Sequence, residues 1–508
     1  MLYRSIALLL CSGIFCLSQV QAQNETDALR YGLLSSGATA RSIGLGGTGG
    51  SFGGDFSSLS INPAGIGVYR HSKLMLTPTL SINGAQSTYL NNKDDDHSSK
   101  VGLSNLGVVF AHGTTGREYE QSDWKAYAIG IGYNRLADFN SAITYSGVNT
   151  QSSITDVMSE DAYNNGISED LVPPLGFLGY QGYVLDDAVH NYASIPHTNI
   201  LDNGGSLLQT KSIETSGGVD DWTLSFGGNY QEKLMLGMSL DMISYKYDRD
   251  SYFTEQDETG NTDNDFDYLQ YHESLSTTGL GFNLKLGAIY VISDRFRIGA
   301  SLHTPTWSSF SDQSDYDLTS NTENFKYNSG QSDANPNTFV QPSQPYAFDY
   351  SLRTPWRGVL SATAFMGSHG FITIDYDYVD FASMKYNFNN NYSDFEHQVN
   401  QAIKDTYQGS HNIHVGIEGK EKNFMGRLGF AYHSSPYKRS ADFDGQSMDI
   451  TAGVGARFSA ISIDLGYRHS IYKSAEYAYP LLASGVVTGL AKIQQNKNLI
   501  ALTVGYQF

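Results

Sequence analysis

The side chains with the clearest potential for chemistry in this sequence are carboxylates concentrated between Asp248 and Glu273. Carboxylate oxygens at this density are ligands that Ca²⁺ accepts, but the run lacks the glycine and the ligand spacing of an EF-hand loop. A solvated acidic loop is therefore the preferred interpretation, with calcium binding as the alternative. The nine acids, which share the run with the single basic residue Arg249, are Asp248, Asp250, Glu255, Asp257, Glu258, Asp263, Asp265, Asp267 and Glu273.

Metal, haem and enzymatic chemistry find little support. Histidines such as His303 and His433 could ligate haem iron, but the histidines are scattered and follow no motif. Serines and histidines are plentiful, yet no nucleophile clusters with a base in the sequence. The two cysteines, Cys11 and Cys16, both precede the expected mature chain. We therefore expect no catalytic residue, no metal and no cofactor.

The N-terminus predicts export. Arg4 precedes an apolar run, and Val20-Gln21-Ala22 is a small-residue cleavage pattern, so residues 1–22 are interpreted as a cleaved secretory signal peptide. A membrane-anchor helix is the alternative, but the run is shorter than the ~20 residues that span a bilayer. With a formal net charge of -20, the chain would repel nucleic acid, which is discounted as a partner.

The last strand, residues 498–508, shows the pattern that decides the fold class. Ile500, Leu502, Val504, Tyr506 and Phe508 alternate with small or polar residues, as expected of a membrane strand between lipid and lumen. Similar segments recur about 14 times, and short connections alternate with long ones. The long ones are predicted at 84–100, 136–220, 247–278, 306–356, 381–410, 435–447 and 471–497.

The alternation of short and long connections between these segments predicts an all-β protein, in which residues 74–508 form a transmembrane antiparallel β-barrel of about 14 strands. The last strand is expected to close against the first near Leu74. A soluble β-sandwich or propeller is the competing interpretation, but such folds do not require the alternation of short turns and long loops.

Residues 23–73 do not alternate and are rich in glycine, which permits close backbone packing and positive φ. They lack the strand and paired acid of a nucleotide-binding βαβ unit. Within the barrel they would form an N-terminal plug, which we call the hatch. A periplasmic tail is the alternative. A barrel of about 14 strands is wide enough to conduct water unless its lumen is blocked.

Three runs carry a family resemblance: Ala40-Arg41-Ser42-Ile43-Gly44-Leu45-Gly46-Gly47, Gly54-Asp55-Phe56-Ser57-Ser58-Leu59 and Asn62-Pro63-Ala64-Gly65. They resemble the N-terminal hatch of the FadL family of outer-membrane transporters, in its hemin-receptor-like branch. The resemblance implies uptake of fatty-acid-like or aromatic compounds, with hemin as a further possibility. It also implies that the hatch shifts and that the ligand leaves sideways through a gap in the barrel wall.

The resemblance also suggests roles for hatch residues. Asn62 and Pro63, followed by Ala64, would fix the hatch turn, and Gly44, Gly46 and Gly47 would give it room to move. Asp55 belongs to the same motif. Arg41 is expected to pair with a lumen carboxylate such as Asp375 or Asp464, with a solvated arginine as the alternative.

Further roles are expected on the barrel. Gly130 and Gly132 would allow a kink for lateral opening, or they are merely small lumen residues. The apolar stretch Pro173, Pro174, Leu175, Phe177 and Leu178 would offer a ligand platform, or it packs on the barrel rim. Phe508 resembles the C-terminal signal read by the barrel-assembly machinery.

Three functions remain open: a transporter of hydrophobic small molecules, a FadL-like barrel serving a secretion system, and a structural or adhesive surface barrel. Each would reside in the outer membrane of a Gram-negative cell. The expected partners are membrane lipid, lipopolysaccharide and the barrel-assembly machinery, together with a hydrophobic ligand for a transporter. We expect a monomer.

Overall fold

The computed structural model describes residues 24–35, 38–186, 192–194, 197–323, 337–388, 392–439, 445–479 and 489–508. The predicted signal peptide, residues 1–22, lies outside the described residues. Strands dominate the described part of the chain. They are β1 (Lys73–Tyr89), β2 (Asn92–Gly113), β3 (Trp124–Asp138), β4 (Ser141–Asn149), β5 (Leu185–Asp186), β6 (Ala193–Ser194), β7 (Leu207–Tyr230), β8 (Leu234–Asp257), β9 (Tyr268–Ser293), β10 (Phe296–His303), β11 (Trp307–Asn321), β12 (Asn337–Val340), β13 (Tyr346–Arg353), β14 (Arg357–Phe365), β15 (Gly370–Asp380), β16 (Lys385–Asn387), β17 (Gly409–Glu421), β18 (Phe424–His433), β19 (Ser447–Phe458), β20 (Ile461–Tyr477) and β21 (Leu490–Gln507).

All of these strands except the short pair β5 and β6 close into one antiparallel barrel, because β1 pairs with β2 on one edge and with β21 on the other. The strands β5 and β6 form a separate two-stranded sheet. Leu74 of β1 lies opposite Tyr506 of β21. Some membrane crossings consist of two consecutive strands, such as β3 with β4 and β10 with β11. When each such pair is counted as one crossing, the wall crosses the membrane 14 times. The predicted fold class is confirmed. The ends with short turns are called periplasmic here, since outer-membrane barrels place short turns there.

The outer face of the wall carries a band of exposed apolar side chains. On β8 the outward residues Leu236, Met238, Leu240 and Met242 are exposed. Further along the same outward series comes Lys246, also exposed. The change from apolar to charged side chains marks the upper edge of the band. The wall of β7, β8 and β9 continues well above this edge as paired strands.

This extension corrects the predicted loops. Residues 84–100 do not form a long loop, because β1 and β2 meet in a tight hairpin with Leu90 and Asn91 at positive φ. Similarly, the acidic run is largely strand, with Asp248 and Asp250 on β8 and Glu273 on β9. Sequence alternation fades above the membrane because the outward face turns polar, whereas backbone pairing continues.

Helices lie inside the barrel, above it or at a periplasmic turn. Those of the hatch are short, and the longer ones belong to the extracellular connections. They are α1 (Glu25–Gly32), α2 (Ala40–Gly44), α3 (Ser58–Ile61), α4 (Gly116–Gln121), α5 (Ile154–Asn165), α6 (Leu175–Gln181) and α7 (Ser393–Thr406), with 3₁₀ helices Pro63–Val68 and Phe381–Ser383 and a π turn His197–Leu201. No helix among the described residues has the length and apolar character needed to cross a membrane.

Candidate functional site

The lower part of the hatch, residues 38–69, lies in the barrel lumen near the periplasmic end. Thr39 caps α2, and its hydroxyl donates to Asp55 Oδ1 at 2.8 Å. The same oxygen accepts the Ser57 backbone N–H at 3.0 Å, so Asp55 joins two turns of the segment. Gly46 and Gly47 have φ of +73° and +81°, a conformation that glycine adopts without strain. Turn geometry thus accounts for the two glycines.

Glycines of the surrounding barrel face this segment. A Cβ on Gly237 would lie 2.3 Å from the Pro63 carbonyl carbon, and one on Gly287 would lie 2.0 Å from Asn62 Oδ1. Both distances are far shorter than a van der Waals contact, so the wall has no room for side chains here. Distances of 2.1–2.6 Å from an added Cβ to the nearest hatch atom occur at barrel positions Gly107, Gly132, Gly227, Gly299, Gly416, Gly429 and Gly466. The hatch therefore packs against most of the lumen circumference.

Asn62 is the hatch residue with the most direct bonds to neighbouring backbone. Its amide Nδ2 donates to the carbonyl of Gly50 at 2.7 Å and to that of Ala288 on β9 at 3.2 Å. Its Oδ1 accepts the Ala64 backbone N–H at 3.1 Å, with Pro63 opening the 3₁₀ helix between them. Asn62 thus ties the predicted turn both to itself and to the wall.

Arg41 pairs with a different carboxylate from either of those predicted. Its guanidinium forms two bonds of 2.9 Å with Glu418 of β17. Arg427 of β18 bonds the same carboxylate at 2.7 Å and reaches Asp464 of β20 at 2.7 Å. Asp464 is therefore a neighbour in the network rather than the partner of Arg41. Sequence reasoning missed Glu418 because its position in the closed barrel depends on register across the sheet.

Asp375, the other carboxylate predicted for Arg41, serves the hatch backbone instead. Its Oδ2 accepts the N–H groups of Gly49 and Gly50, each at 2.9 Å. Gly44 approaches Gly453 of β19, with a distance of 3.1 Å from an added Cβ to the Gly453 Cα. Because Gly44 and Gly46 have no side chain, the hatch backbone contacts the barrel wall closely at both positions.

Above this level, α1 fills an aromatic section of the lumen. The Tyr31 ring stacks on Phe310 with 4.8 Å between centroids and meets Tyr245 edge-on at 5.8 Å. The Arg30 guanidinium lies 4.1 Å from the centroid of Tyr247. Aromatic pairs of this kind contribute ~0.5–1.5 kcal/mol beyond their buried area. The side chains of α1 thus pack among the aromatic rings of the surrounding wall.

One seam of the barrel wall is not closed by backbone pairing. The ladder between β2 and β3 ends at Asn105 opposite Asn134. Beyond that point, the described residues of β2 pair only with β1, and those of β3 and β4 pair only with β7. The facing edges of β2 and β4 are bridged by side chains instead. Asp94 Oδ2, for example, accepts the Ser146 N–H at 2.9 Å.

The foot of this seam lies within the apolar band, where Val101 of β2 is 76% exposed. Gly130 and Gly132 do not form the predicted kink, because both glycines pair regularly with β2 and β7. The irregularities of β3 lie near its two ends. The two glycines instead leave space for Leu59 and Phe56 of the hatch.

The hatch also contacts both edges of the seam. Ser35 donates its backbone N–H to the Leu136 carbonyl of β3 at 3.0 Å. Ser104 of β2 donates its hydroxyl to the Ala38 carbonyl at 2.6 Å. Residues on either side of positions 36–37 therefore bond the two facing strands at the foot of the seam. Any shift of the hatch would alter these contacts.

Extracellular residues form a cap over the lumen. Leu175 and Leu178 are buried in the same apolar cluster as Met158 of α5, and Phe177 packs against that cluster. Pro174 immediately precedes α6, and Pro173 is half-buried beside it. The suggested ligand platform thus packs on the rim, as its alternative interpretation states. A ligand would have to displace these contacts to reach it.

A buried carboxylate anchors the cap. Glu255 of β8 accepts the Ile154 backbone N–H at 2.9 Å, at the beginning of α5. It also accepts the Gln209 side-chain amide at 2.7 Å. Burial raises the pKa of Glu255 to about 7, although its hydrogen bonds oppose the rise. Glu255 thus titrates near neutral pH above the membrane band.

A charged layer separates the cap from the aromatic section. Arg249 of β8 contacts Glu273 at 3.3 Å and Glu476 of β20 at 2.9 Å. Lys211 of β7 contacts Glu476 at 3.2 Å. Burial raises the pKa of Glu476, but Lys211 and Arg249 outweigh it and hold the pKa below its usual value. Ion pairs therefore bridge strands that lie across the lumen from each other.

No group of three or more metal-ligating side chains occurs within the described residues. Nε2 of His303 lies 3.0 Å from the Ile61 carbonyl, and the ring of His433 packs edge-on against His414.

Phe508 at the barrel end donates its backbone N–H to the Ser72 carbonyl at 3.0 Å. Sequence reasoning missed the barrel glycines facing the hatch, although glycine inside a strand signals close backbone approach.

The sequence matches no protein-family model and no curated protein. Solved structures do match. A FadL homologue of Pseudomonas aeruginosa is 13% identical over 93% of this chain and 98% of its own, with a TM-score of 0.54. The P. putida toluene transporter TodX is 12% identical over 93% of this chain and 99% of its own, also with a TM-score of 0.54. The chain therefore has the fold of the FadL homologue and of TodX.

Proposed function

We propose that this protein is an outer-membrane channel for hydrophobic small molecules, in which the hatch gates a lateral exit through the seam between β2 and β3–β4. The observation that carries the proposal is the combination of a lumen blocked near its periplasmic end and an unpaired seam above the block. The likeness in fold to TodX, described as a toluene transporter, supports the same function.

The interior suits an apolar solute above the hatch. The aromatic section around Tyr31, Tyr245 and Phe310 offers rings to a ligand that can replace α1. Removing apolar surface from water is favourable by ~25 cal/mol per Å². An exit into lipid at the seam keeps that gain, whereas passage into the periplasm would lose it.

Gating follows from the contacts at the foot of the seam. Ser35 and Ala38 bond Leu136 and Ser104 on its two sides, and both belong to the hatch. A ligand that displaces α1 from the aromatic section would pull on this segment. The same displacement would therefore clear the ligand's place and loosen the seam.

The test is uptake by Gram-negative cells that lack their own channel for hydrophobic compounds. Cells producing the protein should accumulate radiolabelled toluene or a long-chain hydrocarbon derivative faster than vector controls, while sugar influx stays unchanged. Folded protein in the membrane that gives no increase for any hydrophobic compound would overturn the proposal. Stable capture of a secreted protein under those conditions would favour the secretion-system alternative.

A further inference from the structure

A group of polar side chains lines the lumen between the hatch and the aromatic section. We call Asn105, Asn134, Asp221, Asp241 and Lys285 the polar layer. They come from the neighbouring strands β2, β3, β7, β8 and β9. All five are buried, and Asn134 and Asp221 are 0% exposed. Such residues are rare in a protein interior unless they are paired or serve a ligand.

Several atoms of the polar layer have no hydrogen-bond partner among the described residues. These atoms are Oδ1 of Asp221, Oδ1 of Asp241, both polar atoms of the Asn134 amide and Nδ2 of Asn105. Asn134 lies directly opposite Asp221 in the register of β3 and β7. Each unsatisfied buried group costs ~1–3 kcal/mol. The side chains of Asp221 and Asp241 also contact each other, and their Oδ1 atoms accept no hydrogen bond from a donor among the described residues.

The layer's ammonium group is already used. Lys285 Nζ lies 3.0 Å from Asp221 Oδ2 and 3.3 Å from Asp241 Oδ2, so two carboxylates share one cation. An incoming carboxylate would have to displace one of them and would face the other. A hydroxyl or amine would instead meet a free acceptor oxygen.

The position of the polar layer connects it with the transport path. Asn105 and Asn134 form the last pair of the β2–β3 ladder, so they lie at the foot of the seam. On the other side, Asn283 of β9 pairs with Asp241 and donates to Thr306 at 2.9 Å, near the aromatic section. A ligand moving from the rings to the seam therefore passes the layer.

We infer that the polar layer binds the hydrogen-bond-donating end, a hydroxyl or amine, of an otherwise apolar ligand and refuses carboxylates. The inference rests on the proposed function and narrows its substrate class. The apolar body of the ligand lies against the rings, while its polar end reaches Asp221 and Asp241. Asn134 provides a donor and an acceptor beside the exit.

Uptake of a matched series tests the inference in cells producing the full-length protein: 4-phenylbutanol, 4-phenylbutylamine, butylbenzene and 4-phenylbutyrate. These compounds share one skeleton and differ at one end. The protein-dependent uptake of the alcohol and the amine should exceed that of the carboxylate by about tenfold or more, since the carboxylate leaves acceptors unpaired. Butylbenzene should fall between them.

Asp241→Asn removes a negative charge and should bring the alcohol-to-carboxylate ratio several-fold closer to one. Asp248→Asn is the matched control, because Asp248 lies on the same strand above the band, where it contacts Ser276. It should keep the wild-type ratio. Heat-modified mobility on gels reports barrel folding, and the wild-type series decides alone if Asp241→Asn does not fold.

The outcomes separate the two proposals. Equal uptake of all four compounds, or preference for the carboxylate, would overturn this inference and leave the channel function intact. Uptake of none would overturn the channel function itself. An unchanged ratio in folded Asp241→Asn would also overturn the inference, because the inference places the polar end of the ligand at Asp241.

Discussion

Gly237→Ala should loosen the hatch without touching any hatch residue. The new Cβ would lie 2.3 Å from the Pro63 carbonyl carbon and 2.4 Å from the Ala64 nitrogen. These are backbone atoms, so no flexible side chain can yield. Because ordinary contact begins near 3.4 Å, the 3₁₀ helix or the wall must retreat by roughly 1 Å.

Overpacking of this kind costs ~1–3 kcal/mol. If the cost falls on the closed state alone, the population with a displaced hatch rises by roughly 5- to 150-fold. Alanine itself is acceptable in a strand, so the barrel should fold normally. Planar-bilayer conductance of the purified protein measures the change directly, and limited proteolysis of the hatch provides a second readout.

Gly426→Ala is the matched control for this substitution. Gly426 lies on β18 with nothing within 4 Å of an added Cβ, so the same chemical change meets open space. It should leave conductance and proteolysis at wild-type levels. Equal conductance and equal hatch protection in the two folded variants would refute the reasoning that the hatch closes the lumen by packing against the wall glycines.

Three further predictions concern polar contacts. Arg41→Gln should raise conductance, because it removes both bonds to Glu418. Breaking this largely buried ion pair costs ~3–5 kcal/mol at most. Arg41→Lys should give a smaller increase in conductance in the same bilayer assay. Asn62→Ala should raise it too, through the lost bonds to Gly50 and Ala288, and unchanged currents would contradict its anchoring role. Because the pKa of Glu255 rises to about 7 in the folded cap, the folded state holds its proton more tightly, so stabilisation of α5 is full below about pH 4.5 and declines by ~3 kcal/mol as pH rises through 7. Hydrogen exchange of α5 at pH 5 and pH 8 checks this, and Glu255→Gln should abolish the difference.

The sequence predicted the barrel because its signal is local. Period-two alternation such as that of Leu502, Val504 and Tyr506 follows directly from a wall with lipid on one side. Above the membrane the outward face becomes polar. The strands that lead to the hairpin at Leu90 and Asn91 therefore show no alternation of apolar and polar residues from which they could be predicted.

The hatch contacts were harder to predict because they depend on three-dimensional closure. Arg41 meets Glu418, which is 377 positions away, and this pairing follows from the register of β17 within the closed ring. The seam is equally nonlocal, since it is defined by where β2 and β3 stop pairing. By contrast, close packing at Gly237 and Gly287 could have been predicted from the sequence, because strand interiors rarely contain glycine without close packing.

The measurement that tests the account most directly is uptake through a barrel whose hatch is locked to the seam. Ser104 Oγ lies 2.6 Å from the Ala38 carbonyl oxygen, and both cysteines of the chain lie in the predicted signal peptide. Ala38→Cys combined with Ser104→Cys places two thiols on contacting residues, which a short thiol-specific cross-linker with a reducible bridge can join. The cross-linked protein should lose hydrophobic uptake and regain it on reduction, with either single variant as the control. Undiminished uptake by the fully cross-linked protein would contradict lateral exit gated by the hatch.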